Sequence, residues 1–217
     1  MAPKRTTPPA RRSSTTPAPA ELRERILTAT RDLLRDHRFD TLSVADILTA
    51  ADVSRASFYF YFAGKQAVLG ELVRDAVTQG QQAAEPWIDR RQDPADALRA
   101  GVSDGARLWR ANAGVLRAIA ESWGSDDGLR TLWLEQMDLF TEAAAARIRS
   151  DPQALRHLGG ADVRAVAASL TWMGERLYYL AASGVPPFDD EQVLIDVLTH
   201  AWTSTLYGHR PQPGSHP

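Results

Sequence analysis

Residues 58–62 read Phe-Tyr-Phe-Tyr-Phe, and five adjacent rings cannot all face one core. On a helix of about 3.6 residues per turn they point around the whole circumference, so part of the set is exposed. Exposed rings beside Ser54, Arg55, Ser57 and Lys65 suit DNA, where tyrosine hydroxyls bond phosphates and ring edges meet thymine methyl groups. Phe58 and Phe62, one turn apart, are expected to bury. The spacing does not assign Phe60 to either side.

The flanking sequence places this run on the last of three short helices. Leu22, Ile26, Ala29 and Leu33 recur at helical spacing, which predicts an amphipathic helix from Glu21 to about Arg38. A second helix is expected over Ser43–Ala50, with Ser43 as N-cap and Asp46 three positions on, a capping box with a shorter acid. Asp52 and Val53 form a tight connection, and Ser54 caps a third helix through Phe60. Two short helices joined by three residues make a helix-turn-helix, whose second helix presents side chains to a major groove.

Charge is consistent with a DNA contact confined to this end of the chain. Residues 1–20 carry Lys4, Arg5, Arg11 and Arg12 and no acid, whereas 21–65 balance seven basic against seven acidic groups. Residues 66–217 hold fourteen basic and twenty acidic groups, so that part does not attract nucleic acid in bulk. Residues 1–20, rich in Pro, Ser, Thr and Ala, read as a disordered basic arm, either a solubilising leader or a DNA-backbone contact. The 44% hydrophobic content is too high for general disorder. No apolar run reaches the length of a membrane span, and no apolar segment follows the N-terminal charges as a secretory signal would require. Without cysteine, disulfides and thiolate chemistry are excluded. The expected setting is cytoplasmic, with no membrane partner and no cofactor.

Downstream, the pattern stays helical and nowhere alternates with period two for long. A fourth helix is expected over Gly64–Gln79, with Val68, Leu69, Leu72, Val73, Ala76 and Val77 on one face. Five more are expected: Pro94 to about Asn112, Val115–Trp123, Asp127–Arg149, Asp162–Ser183 and Asp189–Tyr207. Gly124, Pro152, Gly159–Gly160, Gly184 and Pro186–Pro187 mark the breaks. The fold is therefore all-α, about nine helices: a three-helix DNA-binding head at 21–65, a helical body at 66–208 and a disordered tail at 209–217.

Three stripes in the body mix large and small or polar residues. Trp133, Met137, Phe140 and Ala144 share one face of a helix. Leu98, Gly101, Gly105 and Trp109 form a second stripe. Thr171, Gly174, Glu175 and Tyr178 form a third, the one with several polar groups. An apolar cleft with a few polar anchors is what a small-molecule site needs; ordinary core packing is the competing reading. Six tryptophans favour a cavity, with Trp109, Trp133 and Trp202 its leading lining residues. Val163, Val166, Leu170, Met173, Leu177 and Leu180 make a continuous seam suited to helix packing, whether against the chain's own core or a partner.

The stretch Asp52-Val53-Ser54-Arg55-Ala56-Ser57-Phe58-Tyr59-Phe60-Tyr61-Phe62-Ala63-Gly64-Lys65-Gln66 resembles the head of the TetR family of bacterial transcriptional regulators. Asp52 stands where that pattern has glycine, and Gln66 where it has an acid. More narrowly, the aromatic run, Met173-Gly174-Glu175-Arg176 and Trp202-Thr203-Ser204-Thr205-Leu206-Tyr207-Gly208 resemble the mycobacterial ethionamide-response (EthR-like) branch. The resemblance implies phosphate contacts from Ser43, Ser54 and Lys65, and a base-reading edge of Arg55, Ala56 and Ser57. It implies that Tyr59 and Tyr61 meet bases or backbone. It further implies a repressor that binds a palindromic double-stranded operator as a homodimer through its last two helices, and a lipophilic small-molecule effector in an aromatic-lined tunnel. The effector would be held by Leu98, Gly105, Trp109, Trp133, Met137, Phe140, Thr171, Gly174, Tyr178 and Trp202.

An enzyme is the main competing class. His37, His157, His200, His209 and His216 show no metal-ligand spacing, and Glu175 with Arg176 lacks a paired nucleophile or second carboxylate. An architectural DNA-binding protein and a carrier of lipophiles are the others; ligand-dependent release of DNA separates the regulator from the first, and the head argues against the second.

Overall fold

A computed structural model describes residues 19–84 and 94–208. The expected disordered arm and tail lie outside the described residues, except that Pro19 and Ala20 open the first helix. Among the described residues the architecture is ten α-helices and no strand.

The head is built from α1 (Pro19–Asp36), α2 (Val44–Ala51) and α3 (Arg55–Tyr61). α1 buries Ile26, Leu27, Thr30 and Leu34, one face at 3–4 spacing. The Thr30 hydroxyl would be an uncompensated polar group in that face, and it donates to the Ile26 carbonyl at 2.8 Å. Between α2 and α3 the chain reverses through Asp52, whose φ of 51° and ψ of 54° are left-handed. Asp tolerates this region better than most residues, and Arg25 reinforces it. One guanidinium nitrogen of Arg25 donates to the Ala51 carbonyl at 2.6 Å, the Asp52 carbonyl at 2.8 Å and Asp52 Oδ2 at 3.1 Å. The aspartate that replaces a turn glycine thus brings its own anchor to α1.

α4 (Lys65–Ala84) leaves the head and enters the body, burying Val68, Leu69, Leu72, Val73, Ala76 and Val77. Ion pairs Arg23–Glu71 and Arg31–Asp75 tie it to α1. The body continues with α5 (Pro94–Ala111), α6 (Ala113–Ser122), α7 (Asp127–Arg149), α8 (Pro152–Leu158), α9 (Val163–Ala182) and α10 (Glu191–Tyr207). α7 packs against α9, α10 against α5, and α6 against both α1 and α4. The joint between α6 and α1 is tight: a Cβ on Gly114 would stand 2.4 Å from the Leu34 carbonyl oxygen. Among the described residues, α4 and α6 both pack against α1 and so join the head to the body.

α8 does not show in the helical periodicity, where Pro152 and Gly159 read as breaks. They are its ends. Pro152 occupies the first turn, where a missing N–H costs nothing. Asp151 caps it, accepting from Gln153 and Ala154 amides at 2.9 and 3.2 Å, and Gly159 closes it in the left-handed region at φ 59°. The Tyr207 hydroxyl donates to the other oxygen of Asp151 at 2.8 Å, fastening α10 to this corner. Burial opposes ionisation of Asp151, but the Tyr207 hydroxyl and the two amides outweigh it and hold the carboxyl below its ordinary range.

In the seam on α9, Leu170 is buried among Ala144, Ala145 and Ala167 of the chain's own core. Val163, Val166, Met173, Leu177 and Leu180 are half-buried, and Val197 on α10 is exposed.

Candidate functional site

The aromatic run divides along the helix phase of α3. Phe58 and Phe62 are buried, with ring centroids 6.0 Å apart. Phe60 is 79% exposed and Tyr59 48% exposed. Tyr59 meets Phe58 edge-on at 5.3 Å, and Phe60 meets the half-buried Tyr61 edge-on at 4.9 Å. Arg55, Ala56, Tyr59 and Phe60 fall on one outward face, which Ser54 opens. Ser54 caps α3 by accepting the Ser57 amide at 3.0 Å, and the two hydroxyls lie 2.9 Å apart. The Ser57 side chain is therefore half-buried and partnered, while Arg55 and Ala56 stand free in solvent.

Two residues expected at phosphate are engaged with the head itself. Ser43 and Asp46 form a complete capping box: the Ser43 amide and hydroxyl both donate to Asp46 Oδ2, at 2.8 and 2.6 Å, and the Asp46 amide donates to the Ser43 hydroxyl oxygen at 3.2 Å. These bonds hold the Asp46 carboxyl below its ordinary range. The ammonium of Lys65 donates to the carbonyls of Phe39, Asp40 and Leu42 at 2.8, 3.3 and 2.6 Å, with its charge 4.8 Å from the Phe39 ring. It closes the α1–α2 connection, where the Phe39 carbonyl also accepts the Leu42 amide at 3.3 Å. Lys65, expected at phosphate, has its ammonium turned onto these head carbonyls in this structure.

In the body, the three stripes converge. All ten positions expected to line a ligand site border one cavity of about 240 Å³, formed by α4, α5, α6, α7, α9 and α10. Further lining residues that the stripes do not include are Val77 of α4, Leu116 of α6, Val102, Asp104 and Leu108 of α5, Ala143 of α7 and Leu170 of α9. Trp109 and Tyr178 stack at 6.3 Å, and the Tyr178 hydroxyl donates to the Val102 carbonyl at 2.9 Å. Burial pushes this phenol's pKa up. Gly105 is the position on α5 against which Tyr178 rests.

Two polar atoms of the cavity wall lack hydrogen-bond partners: Trp133 Nε1 and Glu175 Oε1. Glu175 is 5% exposed, and burial raises its pKa against a partial offset from Arg176. A polar chain runs from here to the head. The Arg176 guanidinium lies 4.9 Å over the Tyr179 ring, and the Tyr179 hydroxyl donates to Glu121 of α6 at 3.1 Å. Glu121 faces Arg38 at 3.5 Å, and Arg38 pairs with Asp40 at 3.2 Å.

Residues 26–72 match the family of tetR bacterial regulatory proteins, and residues 98–208 match the C-terminal domain of the transcriptional regulator EthR. The HTH-type transcriptional regulator EthR of Mycolicibacterium smegmatis is 28% identical over 206 residues, covering 94% of each chain. Its namesake in Mycobacterium tuberculosis H37Rv is 29% identical over 192 residues, covering 84% of this chain and 86% of that one. Among solved structures, a putative TetR-family regulator from Syntrophomonas wolfei superposes with a TM-score of 0.69 at 17% identity, over 86% of this chain and 95% of that one. A regulator from Rhodococcus sp. RHA1 gives 0.68 at 18% identity, over 87% and 99%. At such identities these structures establish the fold alone. The relatives are named as transcriptional regulators and not as enzymes.

Proposed function

Since the chain belongs to the TetR family of DNA-binding transcriptional regulators and carries an EthR-type C-terminal domain, we propose that it is a ligand-released repressor acting as a homodimer on a palindromic operator. The observation that carries this reading is that one helix, α4, holds the head's α1–α2 connection through Lys65 and borders the cavity through Val77. A lipophilic effector that favours one position of the cavity wall over another would shift the head between two populations.

The outward face of α3, with Ser54, Arg55, Ala56, Tyr59 and Phe60, is the groove-reading surface, and the half-buried Ser57 and Tyr61 lie at its edge. α9 and α10 supply the self-complementary dimer surface, for which the half-buried Met173, Leu177 and Leu180 and the exposed Val197 are suited. The chain Arg176–Tyr179–Glu121–Arg38–Asp40 offers a second connection to the head beside α4.

Footprinting of the DNA flanking its own coding sequence tests this. Protection of an inverted repeat with half-sites one or more turns of ~10–10.5 bp apart, relieved by octanol or by octyl acetate, is the expected result. A single asymmetric half-site, or protection indifferent to every lipophile that binds the protein, contradicts it.

A further inference from the structure

The charged residues that line the cavity are all acidic. Its wall includes two carboxylates, Asp104 and Glu175, and no lysine, arginine or histidine. Asp104 is paired with Arg107. Glu175 is not fully met: Arg176 Nε stands 3.8 Å from its Oε2, while Oε1 is buried without a partner. The Arg176 side chain is half exposed and lies over Tyr179, so it approaches one oxygen from outside. The neighbouring Tyr178 hydroxyl has its proton on the Val102 carbonyl and does not serve Glu175. A buried carboxylate oxygen in apolar surroundings is costly until something donates to it.

We propose that the effector is an amphiphile with an apolar body and a protonated amine, whose N–H groups donate to Glu175. This rests on the cavity being the effector site. Charge-assisted hydrogen bonds are the strong ones, and the rings of Trp109, Trp133 and Tyr178 around the cavity add a cation-attracting surface. A fatty-acid head group would instead meet two acids and no base.

The test compares octylamine, octanol and octanoate on the full-length protein at neutral pH, by tryptophan fluorescence titration and by thermal melting. Octylamine is expected to bind about tenfold or more tightly than octanol, with octanoate weakest. Glu175→Gln should bring octylamine down to the level of octanol on the same variant. Equal affinities for the three probes, or octanoate tightest, overturn the amine assignment while the cavity reading stands. A Glu175→Gln protein that keeps the full preference for octylamine overturns the role of Glu175. Binding of none of the three, octanol included, removes the cavity reading along with the proposal. The ranking on native protein is decisive even if the variant fails to fold.

Discussion

The Tyr178 hydroxyl lies so near the backbone of Gly105 that a Cβ on that glycine would stand 2.6 Å from it. Glycine in a helix interior costs about 0.5–1 kcal/mol relative to alanine, and here the missing methyl is where the phenol docks. The position is at once a cavity wall and a close contact between α5 and α9.

Gly105→Ala therefore returns some helix preference while driving Tyr178 off the Val102 carbonyl, and the nearest open space is the cavity. Its melting temperature should stay within a few degrees of native, whereas octanol binding should fall about tenfold. Gly105→Trp has no such outlet and should cost roughly 1–3 kcal/mol or more by overpacking. Thermal melts with and without octanol read both effects; an alanine variant with native affinity would show that Tyr178 has somewhere else to go.

Lys65→Met keeps the aliphatic stem and removes the ammonium from three carbonyls. Loss of charged hydrogen bonds at part-buried carbonyls should destabilise the head by about 1–3 kcal/mol. A phosphate contact would also lower the slope of log affinity against log salt by about one; the observed geometry predicts an unchanged slope. Arg55→Ala, on the outward face, should lower it. Salt titrations of the two variants on one operator fragment discriminate between the roles.

Phe58 and Phe60 differ by two positions and should differ in kind. Phe58→Ala empties a fully buried site and should cost about 3–5 kcal/mol. Phe60→Ala removes a ring that is 79% exposed and should leave the melting temperature within about 1–2 °C of native, while weakening DNA binding. A mobility shift beside a melting curve is sufficient to compare them.

Glu175 gives a pH signature. Burial raises its pKa in the folded chain, so its stabilising contribution is present below the unfolded value of about 4.3 and is lost as pH rises through the folded value. Glu175→Gln does not titrate. The variant's melting temperature should therefore move upward relative to native as pH rises from about 4 toward neutrality, by about 2–4 °C for each kcal/mol relieved. A difference that stays flat across that range would mean that the carboxylate is satisfied by other means.

The head was legible in sequence because its signals are local. Ser43 with Asp46, Ser54 before the aromatic run, and Asp52 between two short helices each act within four residues. The cavity was legible only as one of two readings: stripes that mix large rings with small or polar residues suit a cleft, but ordinary core packing gives the same pattern. What one dimension hides is the destination of long side chains. Nothing near Lys65 in sequence marks the carbonyls of Phe39, Asp40 and Leu42, which lie more than twenty residues earlier. Nor could Val77 be told from the rest of its apolar face. α8 was overlooked although an Asp-Pro start and a glycine stop were both present; seven residues are too few for periodicity to show.

α4 has to be right in angle as well as in length. Lys65 and Val77 are twelve residues apart, about 18 Å of helix, and each engages a different part of the protein. Inserting a single residue between them would turn everything beyond it by about 100°. Lys65 would keep its grip on the α1–α2 carbonyls while Val77 swung out of the cavity wall. The segment behaves as a keyed shaft, in which point substitutions can be absorbed but a frame of one or two residues cannot. Over this stretch, natural length variation should come only in steps that restore the phase.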